Sequence, residues 1–189
     1  MQTLTKGFII SIITIKKSRH YNLDKMEIQN DIKINKSYLY STVLLMFVLP
    51  IISILIDFWL GKQQFYLWML IGKWFIFWAI GMRLLTAGLK QTITPSFTAQ
   101  QIFHISDKKS YAIVRELGFA NICFGTVGII SLFVPQWRIV AAFAGGLFLG
   151  IAGVNHIIRK PFNSNEMIPM VSNLFIFFVM LIYVLNAIL

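Results

Sequence analysis

Ile168-Pro-Met-Val-Ser-Asn-Leu-Phe-Ile-Phe-Phe-Val-Met-Leu-Ile-Tyr-Val-Leu-Asn-Ala-Ile-Leu189 holds twenty-two residues without one charge. At about 1.5 Å per residue, a helix of that length reaches across the roughly 30 Å of hydrocarbon in a bilayer. Four comparable runs precede it, near Tyr38 to Leu60, Phe65 to Leu89, Tyr111 to Val134 and Arg138 to Ile158. Across the 189 residues 57% are apolar and 13% charged, about half the charged share of a soluble domain. So much apolar surface in uninterrupted runs exceeds what a soluble core of this size could hide. The spacing predicts an all-α polytopic transmembrane bundle of five spans over residues 37–189, behind a basic N-terminal tail, residues 1–36. The lipid bilayer is its first partner.

Charge placement predicts orientation. The net charge of +10 resides mostly in the tail or at the ends of the apolar runs. Lys6, Lys16, Lys17, Arg19, Lys25, Lys33, Lys36, Lys90, Lys108, Lys109, Arg159 and Lys160 fall on one side, and Lys62 and Arg138 on the other. Lys and Arg are retained in the cytosol. The N-terminus is therefore expected in the cytosol and the C-terminus outside, in the cytoplasmic membrane. Nucleic acid is not an expected partner, because the basic positions beyond the tail are separated by spans and form no continuous face. Phe8 to Ile15 is too short to span and has no small-residue cleavage site after it, so it reads as a surface-lying segment and not as a cleaved signal.

Charged groups within hydrocarbon demand partners. Arg83 lies about 10 Å inside Lys90, Glu116 about 9 Å past the start of its span, and His156 about 5 Å from Arg159. Asn121, Asn155 and Asn173 fall at similar depth. The expectation is a polar cluster in the cytosolic leaflet made by Arg83, Glu116, His156, Asn121, Asn155 and Asn173, with Glu116 paired to Arg83 through the planar fork of the guanidinium. Such a pair could equally be a packing device that fixes helix register. Lys73 and Asp57 could pair in the other leaflet. Arg115 is expected to snorkel, and His20 and His104 to be ordinary surface residues. No second His or Cys stands at ligand spacing, so no metal is expected, and no motif implies a cofactor.

Ala142, Gly146 and Gly150 recur every four residues, a pattern that lets another helix backbone approach closely. Gly118, Gly125 and Gly128 mark the third span in the same way. Pro50 should kink the first span. Thr98 with Gln101 has capping-box spacing, and Asp107 suits the N-cap of the third span, which suggests a short interfacial helix between them. Cys123 is the lone cysteine, so no internal disulfide can form.

Gly81-Met-Arg83-Leu-Leu-Thr-Ala-Gly88-Leu-Lys90, a loop, and then Arg115-Glu116-Leu-Gly118 before a glycine-rich span resemble the DoxX-like small bacterial membrane proteins, in a branch of unknown function. The resemblance covers roughly residues 70–189. It implies a four-helix core, making Tyr38 to Leu60 an added N-terminal helix, and it implies thiol or quinone redox chemistry in some members. The single Cys123 departs from a thiol mechanism. The leading expectation is a non-enzymatic bundle, an accessory subunit or a binder of an apolar molecule such as a quinone or lipid, with self-association as a further possibility. A proton-coupled transporter using Glu116 and His156 and a quinone- or lipid-linked membrane oxidoreductase are the alternatives.

Overall fold

The computed structural model describes residues 35–60, 67–159 and 164–189, which belong to one compact unit. Residues 1–34 of the tail, with the Phe8 to Ile15 segment and His20, lie outside the described residues. Five helices are long and apolar enough to cross a membrane: Lys36–Leu60 (α1), Leu67–Ile93 (α2), Ser110–Phe133 (α3), Pro135–Arg159 (α4) and Asn165–Ile188 (α5). No strand occurs among the described residues. The all-α, five-span reading holds, with ends shifted by one to four residues. α2 continues past Leu89 to Ile93, and α5 begins before Ile168, at Asn165.

Contacts at one end of the bundle set the directions of the spans. Asn35 caps α1 by accepting from the Tyr38 N–H, and its own N–H donates to Asn165 Oδ1 at 2.8 Å, so α1 and α5 start together. Tyr38 meets Phe97 edge-on with ring centres 5.8 Å apart, which brings the end of α2 to the same place. Gln100 Nε2 donates to the Tyr111 hydroxyl at 3.0 Å and Arg159 Nη2 to the Phe103 carbonyl at 3.3 Å, adding the start of α3 and the end of α4. The five spans alternate up and down.

α2 is the central helix. Half of its apolar stretch is buried in the protein, against 11% for α1, which lies on the outside. Gly72, Ile76, Ile80, Leu84 and Gly88 are all buried at a strict spacing of four. That spacing drifts by about 40° per step in an α-helix. A π-helical segment, Ile76–Met82, widens the turns and keeps these residues on one face. Along this face α2 meets α3 backbone to backbone. A methyl group on Gly125 would stand 2.5 Å from the Leu85 nitrogen, and one on Gly128 2.7 Å from the Gly81 nitrogen.

The α4 stripe works differently from the expectation. Ala142, Gly146 and Gly150 are buried, but the glycines receive side chains of α5 instead of its backbone: Met180 at Gly146 and the Phe177 ring at Gly150. The apolar core between them includes Met46, Ile76, Ile80, Leu149, Ile176 and Met180.

Local geometry bears on two further expectations and corrects the second. Upstream of Pro50 the disturbance is taken up by a π-helical segment, Leu44–Val48, and the proline itself is buried within the helix that follows. Removing an N–H at Pro50 frees the carbonyl one turn earlier, and a wider turn is one way to absorb it. The Thr98 and Gln101 capping box does not form: the helix starts at Pro95 with Thr94 as its N-cap, and Thr98 is buried inside a third π-helical segment, Thr98–Ile102. Asp107 accepts the Lys109 N–H at 3.0 Å in a turn just ahead of α3, whose N-cap is Lys109.

Because backbone atoms cannot move aside as side chains do, Gly125→Leu is expected to destabilise the protein by ~3 kcal/mol or more. Cys123→Ala, two residues away at an exposed position, should leave stability within about 0.5 kcal/mol. Melting both variants in one detergent checks this, and equal midpoints would remove the α2–α3 seam as a stabilising contact.

Candidate functional site

The shared end of the bundle holds a partly open cavity of about 310 Å³. α1 contributes Tyr38, Thr42 and Leu45, α2 Arg83, Leu84 and Lys90, and the connecting segment Phe97, Thr98 and Ile102. α3 adds Leu117 and Asn121, α4 Leu149 and His156, and α5 Asn173. All three π-helical segments abut it: Leu45 belongs to the first, Arg83 directly follows the second, and Thr98 and Ile102 belong to the third. π-segments inside α-helices often occur at functional sites.

Arg83 is the centre of this arrangement. Only 9% of it is exposed, which is unusual for a charged side chain. Its Nη2 donates to Ser172 Oγ and to Asn173 Oδ1, each at 2.8 Å, which joins α2 to α5. Nη1 is buried with no hydrogen-bond partner. No carboxylate among the described residues lies within ion-pair distance of it. Across the cavity Asn121 Nδ2 donates to Gln91 Oε1 at 2.6 Å, while Asn121 Oδ1 is buried and unpartnered.

The expected carboxylate is replaced by another. Glu116 is exposed on α3, and no bond joins it to Arg83. The buried residues of α3 are Val114, Gly118, Asn121, Gly125, Gly128 and Ser131. Glu116 is two positions from both Val114 and Gly118, about 200° around the helix, and so faces outward. Asn155 is exposed too, one position off the buried Gly153 and His156 series of α4. The buried carboxylate here is Glu166, 1% exposed, with Oε1 3.5 Å from His156 Nδ1 and Oε2 3.5 Å from His104 Nε2. His104 is exposed, as expected, yet its ring reaches this carboxylate from a backbone with a left-handed φ of 55°.

Arg83, Asn121, His156 and Asn173 do line one cavity, as four of the six expected residues; Glu116 and Asn155 do not. Glu166 was missed because the last span was begun at Ile168. Asn163-Ser-Asn-Glu166 has capping-box spacing, a signal that places the start of the helix further upstream, whereas Pro169, best tolerated in a first turn, favours a start near Ile168. At the other end Lys73 Nζ meets Asp57 Oδ2 at 2.7 Å, and Trp74 Nε1 donates to the same oxygen at 3.0 Å. Among the described residues no group of three or more His, Cys, Asp or Glu is placed to hold a metal ion.

These features define a helical bundle built to cross a membrane several times, with a polar-headed cavity at one end. The chain belongs to a family of unknown function, DUF6790, whose model matches residues 40–189. The match takes in α1 from Tyr40 onward and every cavity-lining residue except Tyr38. No curated protein and no solved structure matches the chain. Nothing in these comparisons links it to the DoxX-like group, so thiol and quinone redox chemistry are not carried over.

Glu116→Gln is expected to change stability by no more than about 0.5 kcal/mol. Glu166→Gln, which alters a buried group facing two histidines, should cost about 1–3 kcal/mol. Thermal melts of the two variants in one detergent decide between the carboxylates, and the reverse order would restore Glu116 to the cluster.

Proposed function

We propose that the protein is a non-enzymatic, multi-pass membrane module that binds an apolar small molecule by its polar end in the cavity at Arg83. The observation that carries this reading is the coincidence of a cavity with a buried guanidinium nitrogen that has no partner, Arg83 Nη1, on a residue that lines it, together with the buried Asn121 amide in the same wall. Buried polar groups in folded proteins are nearly always partnered, and a ligand is one way to complete such a set. Leu45, Leu84, Phe148 and Leu149 supply apolar wall. Small-molecule sites have this composition, mostly apolar with a few placed polar groups. The transporter reading used Glu116 and His156 as titrating groups and loses one of them, since Glu116 is exposed.

The charge asymmetry of the loops supports a cytosolic N-terminus and an external C-terminus in the cytoplasmic membrane. On that orientation the cavity lies in the cytosolic leaflet. Reporter fusions after Lys109, Arg138 and Leu189 are expected to read inside, outside and outside; a cytosolic signal at Leu189 would overturn the orientation.

Native mass spectrometry of the detergent-purified protein tests the binding itself. A retained adduct of constant mass is expected on the wild type. Ala152→Phe, which places a ring in the cavity wall, should reduce it at least about tenfold, equivalent to some 1.4 kcal/mol. An adduct unaffected by Ala152→Phe, or none at all, would remove the binding function.

A further inference from the structure

We infer that the cavity takes a single-chain amphiphile with a carboxylate head, seated with that carboxylate on Arg83. This rests on the binding function proposed above and adds the charge and form of the ligand.

The sign of the head group follows from the cavity wall. Among the described residues two cations, Arg83 and Lys90, line it, and no Asp or Glu does. The two lie seven residues apart on α2, about 10 Å along the helix and on nearly the same face. Lys90 is exposed, with Nζ 3.7 Å from the centre of the Phe97 ring, so it sits at the accessible side while Arg83 is buried. The buried carboxylate at this end, Glu166, is outside the cavity wall and lies within ion-pair distance of His104 and His156, not of Arg83.

The guanidinium has a specific vacancy in its bonding. Both hydrogens of Nη2 are engaged by Ser172 Oγ and Asn173 Oδ1. Those acceptors are neutral, so among the described residues the positive charge has hydrogen bonds but no counter-charge. Nη1 offers two more hydrogens, and it is buried without a partner. A neutral hydroxyl or carbonyl would accept one of them and leave the charge uncompensated. A carboxylate accepts and compensates together, and such charge-assisted bonds are the stronger kind.

Asn121 extends the same logic. As placed, its Oδ1 is an unpartnered acceptor, which an anion could not satisfy. Turning the amides of Asn121 and Gln91 about their terminal bonds reverses their mutual hydrogen bond, with Gln91 Nε2 donating and Asn121 Oδ1 accepting. The pair then presents the Asn121 N–H to the head group and leaves no orphan.

Size sets the tail. At about 310 Å³ the cavity is at the small end of the range for small-molecule sites. That suits one alkyl chain beside Leu45, Leu84 and Leu149 and does not suit two chains of a diacyl lipid.

Dodecanoate, dodecanol and dodecyl phosphate share one chain length and differ at the head, so they separate the possibilities. Each is titrated into the full-length protein in a maltoside detergent while the melting midpoint is followed. Dodecanoate is expected to raise the midpoint with an apparent affinity at least about tenfold tighter than dodecanol, and Arg83→Gln should abolish that difference. Because Arg83→Gln could fail to fold, a diazirine-bearing fatty acid is also photo-crosslinked to the wild type. Labelling is expected on α2 and α4 peptides, with dodecanoate competing and dodecanol not. Equal protection and competition by dodecanol would overturn the carboxylate while leaving apolar binding intact. Tighter binding of dodecyl phosphate would overturn the carboxylate in favour of a phosphate. Absence of protection and labelling by all three would overturn both this inference and the binding function.

Discussion

A guanidinium buried among apolar helices, with no carboxylate of the described residues beside it, is the constraint on which the arrangement turns. Desolvating such a charge carries a penalty of several kcal/mol. The two hydrogen bonds from Arg83 to Ser172 and Asn173, about 1.5–3 kcal/mol each for a charged donor, offset part of that penalty and lock α2 to the start of α5. Because α5 is in turn bonded to the Asn35 end of α1 through Asn165, the same contact fixes which ends of three helices meet. What the amide and hydroxyl oxygens leave unsatisfied, Nη1 and the charge itself, is concentrated at the cavity wall.

Placing that side chain required a departure from regular helix. Upstream, α2 must hold Gly72 against Tyr183 of α5 and Ile76 and Ile80 in the core; downstream it must bury Arg83, Leu84 and Gly88 toward the cavity and the α3 seam. A regular α-helix rotates residues at a spacing of four progressively off one face. The π-helical turns of Ile76–Met82 reconcile the two demands, and the hydrogen-bonding compromise is confined to one segment. α1 repeats the solution next to Pro50, and there the wider segment carries Leu45 to the cavity and Met46 into the core.

Much of this was legible in the residues, and the failures have identifiable physical causes. Apolar run length alone is enough for five helices, since only an internally hydrogen-bonded segment can cross hydrocarbon. Depth along each span correctly grouped Arg83, Asn121, His156 and Asn173, because depth depends on residue number and rise alone. Azimuth was harder: Glu116 and Asn155 have the right depth but the wrong face, and α3, with glycines and polar residues around much of its circumference, gives a weak signal of which side turns inward. The π-segments add to the difficulty, since they shift the phase of every residue after them. His104 shows a third kind of limit. Its position depends on a backbone reversal and on a carboxylate more than sixty residues away, neither of which leaves a local pattern.

The Glu166 contacts also explain how an irregular stretch can close one end of the cavity. The connecting segment is held there through its attachments. Arg159 holds the Phe103 carbonyl at 3.3 Å and covers the Phe103 ring, and Glu166 reaches His104 in the next position. A left-handed backbone at a non-glycine residue persists when its surroundings over-determine it, and at His104 they do so from two helices. Glu166 is suited to this task by its place in the first turn of its helix, where the macrodipole favours a negative charge. A carboxylate committed there to two imidazoles is not available to neutralise Arg83. The same end of the bundle can therefore hold a buried anion that fastens the cap and a buried cation left open to the cavity.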